Sequence, residues 1–299
     1  LMLGYLRFWR ERGWEVIEAA DYALAWARFG GSVITHPLVV ERLSSLAGIP
    51  VRYLGYFVGG EIQAAIPTWG RYLALSRKVL KSKGQRELFD LGNAEIILPA
   101  AVDARAPLRH EVSYISELNR VVFPGLRLQK EQLAMARAPE ELSKKFRYNQ
   151  RRELRLFEEA GGTVRSVGEF APDDFAAIYT ELFERRWGFP VPGKGHLSEV
   201  FTLLRELLQG SLLMLDGVPT AVQVLYRVES PNWLSYEYIN GGVDPRAQHL
   251  SPGSVLSFIN TQAAWSDARQ QGKALRYSFG RADREYKDRW CSRVAAFRT

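Results

Sequence analysis

Between Tyr236 and Trp290 the chain passes from an aromatic, alternating segment through Gly241-Gly242 and Asp244-Pro245 to Ser251-Pro252-Gly253. Beyond that point Val255, Ile259 and Ala263 recur at helical spacing. Pro is at home in a first helical turn, where its missing N–H goes unused, and the serine before it can cap. A strand therefore feeds a glycine-containing loop that opens a helix. The first N–H groups of such a helix lack partners and its dipole is positive there, so the loop is suited to an anion, with phosphate the obvious guest. The helix is expected to end near Gly272, ahead of an apolar strand from Leu275 to Gly280 and then Glu285-Tyr286-Lys287.

Composition narrows the rest. With 299 residues, 46% hydrophobic and 24% charged, the chain has material for two cores, and disorder is excluded. No run approaches the ~20 apolar residues that cross a bilayer, and no signal-peptide pattern opens the sequence. One cysteine, Cys291, rules out an intramolecular disulfide and fits a reducing compartment. As an acyl-accepting nucleophile Cys291 is disfavoured, because no histidine is near it in sequence. His36, His110, His196 and His249 lie far apart, so no metal site is expected. The net charge of +7 favours an acidic partner, and the segment from Lys144 to Arg155 concentrates it with six basic residues and one acidic.

In chain order, Leu1 to Trp14 mixes Tyr5, Phe8, Trp9 and Trp14 with Arg7, Arg10 and Arg12. That composition suits a helix packed on its own domain or one resting on a membrane surface; the first is preferred. A strand (15–19), a helix (21–29) capped by Asp21 and a second helix after His36-Pro37 follow, His36 being a helix-start residue whose ring caps or packs. A hairpin comes next, 51–58 and 61–69 around Gly59-Gly60, then a short apolar strand from Asn93 to Leu98. Residues 99–109 look like a linker, and 112–137 are poorly patterned apart from a turn at Phe123-Pro124-Gly125. Ala138-Pro139-Glu140 is expected to open the basic helix. On it Lys144, Arg147, Arg151 and Arg155 share one face, a solvated face or a binding surface for phosphate or anionic lipid.

The second half repeats this order more cleanly. A strand (163–167) precedes a helix with Phe175, Ile178, Tyr179 and Leu182 at i, i+3, i+4 and i+7, and Leu197, Val200, Leu204 and Leu207 mark another helix. A hairpin turns at Asp216-Gly217, and a strand covers Trp233 to Asn240. On that strand Tyr236 and Tyr238 share one face and Glu237 takes the other.

The nonapeptide Gln248-His249-Leu250-Ser251-Pro252-Gly253-Ser254-Val255-Leu256 resembles the acyl-CoA-binding signature of the Gcn5-related N-acetyltransferase superfamily, with Ser251 where the pattern has Gly. The downstream Tyr286-Lys287, the Thr35-His36-Pro37 element and Arg147-Tyr148-Asn149-Gln150-Arg151-Arg152 are similar to those of Fem-type and cellulose-biosynthesis acetyltransferase-like proteins. The stretches 30–37, 67–72 and 92–95 resemble the macrophage-induced antimicrobial-peptide-resistance proteins of Gram-negative bacteria, a family associated with the inner membrane.

The resemblance implies an α/β (α+β) fold of tandem acetyltransferase-like domains, each a mixed, mostly antiparallel sheet flanked by helices. Residues 1–137 would form a degenerate copy and 138–299 the copy with the phosphate loop. It implies acetyl-CoA or a longer acyl-CoA as co-substrate, held by Gln248, His249, Leu250, Ser251, Gly253 and Ser254, with no metal. Glu237 would be the base, Tyr238 a hydrogen-bond donor, Tyr286 the acid for the leaving thiolate and Lys287 a stabiliser of negative charge; a wet strand residue, a core aromatic and a surface ion pair are the competing readings of Glu237, Tyr238 and Lys287. The acceptor would be an amine of an envelope component or peptide, and the place the bacterial cytoplasm, peripheral at the inner membrane. Two other readings keep the fold: an aminoacyl-tRNA donor, which the basic helix fits, and a non-catalytic binding protein whose CoA slot is filled.

Overall fold

The computed structural model describes the backbone of residues 2–299 and the side chains of 6–299; Leu1 and the side chain of Tyr5, named above with the N-terminal helix, lie outside that range. The first half contains α1 (Met2–Glu11), β1 (Glu15–Ile17), α2 (Ala19–Phe29), α3 (Pro37–Ala47), β2 (Arg52–Val58), β3 (Glu61–Trp69), β4 (Tyr72–Leu73), α4 (Arg77–Ser82), β5 (Ile115–Ser116), β6 (Arg127–Leu128) and β7 (Leu133–Ala136). The second contains α5 (Lys144–Glu159), β8 (Gly162–Ser166), α6 (Pro172–Trp187), α7 (Leu197–Leu203), β9 (Ser211–Leu215), β10 (Val218–Glu229), β11 (Trp233–Val243), α8 (Pro252–Gln270), β12 (Ala274–Arg281), α9 (Glu285–Asp288), β13 (Cys291–Val294) and β14 (Ala296–Arg298).

Local chemistry sets many of these boundaries. His36 caps α3, its Nδ1 accepting from the Leu38 N–H at 3.3 Å while the ring meets Trp26 edge-on at 4.6 Å, and Pro37 occupies the first helical position. Burial holds this imidazole neutral, lowering its pKa to about 4. The β2–β3 hairpin turns on Gly59 and Gly60, both at positive φ. On α6, Phe175, Tyr179, Leu182 and Phe183 are buried, and Gly188 in the left-handed region ends the helix.

Several boundaries differ from expectation. Asp21 is not the cap of α2 but sits at its third position, accepting from the Glu18 N–H at 3.4 Å. The basic helix starts at Lys144, capped by Ser143, whose hydroxyl accepts from the Phe146 N–H at 3.1 Å; Pro139–Glu141 is a separate 3-10 turn. Asn93 to Leu98 makes one bridge, Ile96 to Ile115, and no strand, because its N–H groups go to scattered side chains, Glu95 to Glu237, Ile97 to Ser32 and Leu98 to Asn119. The residues 112–137, which lacked pattern, supply β5, β6 and β7.

Three sheets result. β1-β2-β3-β4 form an antiparallel sheet in the first half, and β13-β7-β12-β11-β10-β9-β8 a seven-stranded sheet in which only β11 and β12 run parallel. The line drawn at 137 is crossed twice. β7 lies between β12 and β13 of the second half's sheet, and β14 lies between β5 and β6, supplied by the first half. The main apolar core is likewise shared, with Trp26, Leu43 and Trp69 packing into the same cluster as Phe175, Leu182 and Tyr226. Each large side chain buried there contributes about 1.5–3 kcal/mol.

Polar bonds close the seam between the halves. The Gly31 N–H donates to Ser230 Oγ at 3.0 Å, and Trp233 Nε1 donates to the Gly31 carbonyl at 2.9 Å. Arg276 makes a bidentate pair with Glu95, which is 1% exposed. Among the described residues no helix is long and apolar enough to cross a membrane.

Candidate active site

The parallel pairing of β11 with β12 ends at Glu237 and Ser278, although β11 continues to Val243 and β12 to Arg281. An irregularity on β11 opposite Val224 and Leu225 bends it away at that point. The strands therefore splay, and Gly241 and Gly242 let other chain segments approach closely. A Cβ on Gly242 would stand 2.3 Å from the Leu182 carbonyl carbon of α6, and one on Gly241 2.5 Å from the Val222 carbonyl oxygen of β10.

A cavity of about 560 Å³ opens at the splay, on the side where α8 begins. Gln248, Ser251, Gly253 and Ser254 line it from the loop and helix start, Tyr238 from β11, and Tyr286, Arg289 and Trp290 from beyond β12. Ser251 is in the left-handed conformation, φ 52° and ψ 44°, which is why a glycine suits this position of the signature. It thereby turns the chain into α8 without closing the cavity. The N–H groups of Gly253 and Ser254 fall in the first turn of a 19-residue helix, where no helical acceptor exists for them. Two arginines, Arg186 and Arg289, and no carboxylate line the cavity. A phosphorylated group thus meets free amides and positive charge, so the residues present fit a CoA-type donor.

His249 and Leu250 do not line the cavity, since the 3-10 turn 245–250 aims them elsewhere. That turn is fixed by Asp244, which accepts from the Arg246 N–H at 3.0 Å and is gripped by Arg185 and Arg246; the arginines lower its pKa to about 2. Sequence reading passed over Asp244, yet an Asp before a Pro-initiated turn is a capping signal. It also missed the chain of bonds under the slot, in which Gln223 Nε2 donates to Ser257 Oγ at 2.9 Å and Asn260 Nδ2 to Gln223 Oε1 at 2.9 Å.

The basic face of α5 does not enter the cavity. Lys144, Arg151 and Arg155 are exposed, Arg155 lying 3.6 Å from Glu159, and Arg147 is half-buried. The helix instead flanks the slot, with Gln150 Oε1 accepting from Ser254 Oγ at 2.9 Å.

Glu237 is corrected on both of its readings, because it is neither in the slot nor wet. At 2% exposure it points to the opposite face of β11, accepting from Ser278 Oγ at 2.8 Å and the Glu95 N–H at 3.2 Å. Burial raises its pKa well above the usual carboxylate range. Lys287 is buried as well and braces a loop. Its Nζ donates to the Arg281 carbonyl at 2.6 Å and to Asp283 at 3.0 Å, in place of the surface pairing with Glu285 or Asp288. Cys291 is buried, with its thiol pushed up to about 12.

Tyr238 and Tyr286 stand on the boundary between this cavity and a second one of about 300 Å³, which both of them also line. Burial raises both phenols, keeping them protonated at neutral pH. The Arg186 guanidinium sits 5.9 Å over the Tyr286 ring and 4.5 Å over Trp187. Beyond the tyrosines the second cavity is walled by Trp187, Phe189, Asp90, Asp283 and Lys287.

A helix N-terminus at the mouth of a splay between two parallel strands, preceded by a first half with the same opening order of elements, gives the chain a tandem Gcn5-related N-acetyltransferase-like fold. The chain belongs to the Mig-14 family, whose model matches residues 36–299. In fold it is similar to the crystal structure of FemX, at 12% identity and a TM-score of 0.55 over 95% of this chain and 96% of that one. It is also similar to L-PGS from Bacillus licheniformis, at 13% identity and a TM-score of 0.51 over 95% of this chain and 92% of that one. Curated proteins include no significant sequence match.

Proposed function

We propose that the protein is an N-acyltransferase that takes an acyl thioester of CoA from the α8 side of the splay and an amine from the other. The observation behind this reading is the pair of cavities that meet at Tyr238 and Tyr286, one of them cationic and headed by the free amides of α8. The N–H groups of Gly253 and Ser254 hold the donor phosphates, with Gln248 and Ser251 beside them. The edge of β11 beyond Glu237, unpaired with β12, holds the pantetheine arm. The neutral amine nitrogen attacks the thioester carbonyl carbon, the C–S bond breaks, and Tyr286 delivers its proton to the leaving sulfur and regains one from the nitrogen as the amide forms, while Tyr238 donates a hydrogen bond to the developing oxyanion. Asp90 and Asp283 line the second cavity and draw an ammonium towards it, each already paired there, with Arg77 and Lys287 respectively, so the ammonium gives its proton to solvent before attack.

Calorimetry with acetyl-CoA, a longer acyl-CoA and free CoA tests the reading. Micromolar binding that a Gly253→Asp variant abolishes is expected; no binding at millimolar CoA overturns it. An aminoacyl-tRNA donor is the second reading, favoured by the exposed Lys144, Arg151 and Arg155 beside the slot, and tRNA binding that collapses with salt in the absence of CoA binding would select it. The acceptor is an envelope amine or a peptide, which would connect the activity to antimicrobial-peptide resistance. A peripheral place at the cytoplasmic face of the inner membrane fits α1, which leaves Phe8 72% and Trp9 55% exposed beside Arg7 and Arg12, while Arg109, 5.4 Å over the Trp9 ring, and the Arg52–Glu11 pair hold the helix to its own domain.

A further inference from the structure

The second cavity does not end at its own wall. Arg77, Gly92 and Asn93 line both it and a third cavity of about 490 Å³ in the first half, so a continuous trough leads from Tyr238 and Tyr286 into that half. Leu73, Ala74, Ile96 and Val112 make part of the trough's wall apolar. At its far part stand Arg127 and Arg298, which are direct register partners on the antiparallel strands β6 and β14. Like charges placed opposite each other on one face destabilise a sheet. Among the described residues neither arginine has a carboxylate partner, whereas Arg77 is paired with Asp90 and Lys78 with Glu111.

The backbone is strained at the same place. Leu75 and Tyr114, two of the four non-glycine residues with positive φ among those described, both line this cavity. Strain of this kind persists where a site over-determines it, and commonly at ligand clamps.

We infer that the first-half cavity binds a phosphate or diphosphate group carried by the acceptor at a distance from its amine, Arg127 and Arg298 gripping it bidentately. The acceptor is then an extended molecule, with its amine at the tyrosines, an uncharged body along the apolar wall and its phosphate at the paired arginines. Its place in the reaction rests on the acyltransferase reading above; the anion site itself does not.

The test is calorimetric titration of the full chain with inorganic pyrophosphate at low salt, for the wild type, an Arg127→Gln/Arg298→Gln double variant and Gly253→Asp. Pyrophosphate affinity should fall at least tenfold in the double variant while CoA binding is unchanged, and the cleft site should survive Gly253→Asp. The double variant should melt no lower than the wild type, because it removes a like-charge pair. Unchanged pyrophosphate affinity in the double variant, loss of all pyrophosphate binding in Gly253→Asp, or citrate binding at the arginines as tightly as pyrophosphate each overturn the proposal. Failure of CoA to bind while the arginine-dependent site persists would instead remove the acyl-donor reading and leave the anion site standing.

Discussion

Ser251 carries a conformation that costs an L-residue about 1 kcal/mol relative to glycine. A Ser251→Gly variant should therefore keep CoA binding and equal or exceed the wild-type stability by up to ~1 kcal/mol in urea denaturation. Glu237 sets a pH dependence of known sign. Its folded pKa lies above the ordinary 4.5, so the stability that comes from its neutral form is complete below that value and is lost as pH rises through the folded pKa. Melting temperatures of Glu237→Gln should decline less than those of the wild type from pH 5 to pH 8; parallel curves would contradict this. His110 works in the opposite direction. It is fully buried, neither ring nitrogen has a protein partner, and burial lowers its pKa from 6.5 to about 3. Stability held by its neutral ring is present above 6.5 and lost as pH falls through 3, so His110→Leu should flatten the acid limb of the melting curve.

The contact of α6 with β11 is closest where the splay begins. A methyl group on Gly242 would meet backbone atoms of Leu182 and Phe183, which cannot rotate away, so Gly242→Ala should cost ~1–3 kcal/mol and weaken CoA binding by moving β11. Loop and helix start were legible in the sequence because Ser251-Pro252-Gly253 acts locally, through caps and backbone freedom. Alternation likewise separated Tyr238 from Glu237. It could not say what covers the other face of the strand, and there Glu95 and Ser278 turn a supposed base into a buried structural carboxyl. Leu133–Ala136 escaped notice for a related reason: four apolar residues have no usable period, and their strand partners lie more than a hundred residues away. The second cavity had no sequence signal at all, because its walls come from five separated segments.

Across the whole molecule, the order of elements was readable in the second half through β12 and in the first half through the β2–β3 hairpin, while the rest of the first half and the way the halves grip each other were not. The buried Glu95–Arg276 pair is central to that grip. Glu95→Ala would leave a buried guanidinium without its partner and should cost about 3–5 kcal/mol in chemical denaturation, whereas Glu95→Leu/Arg276→Met should recover much of the loss. A single unfolding transition is expected throughout, since the main core belongs to both halves. The position of β14 bears on how the chain is made. Its residues, 296–298, form the middle strand between β5 and β6, and they are the last of the described elements to leave the ribosome. A nascent chain stalled between β6 and β14 leaves two short edges unpaired, so the first half completes its structure only once residues 296–298 have been made, and products truncated before them should be aggregation-prone and rapidly degraded.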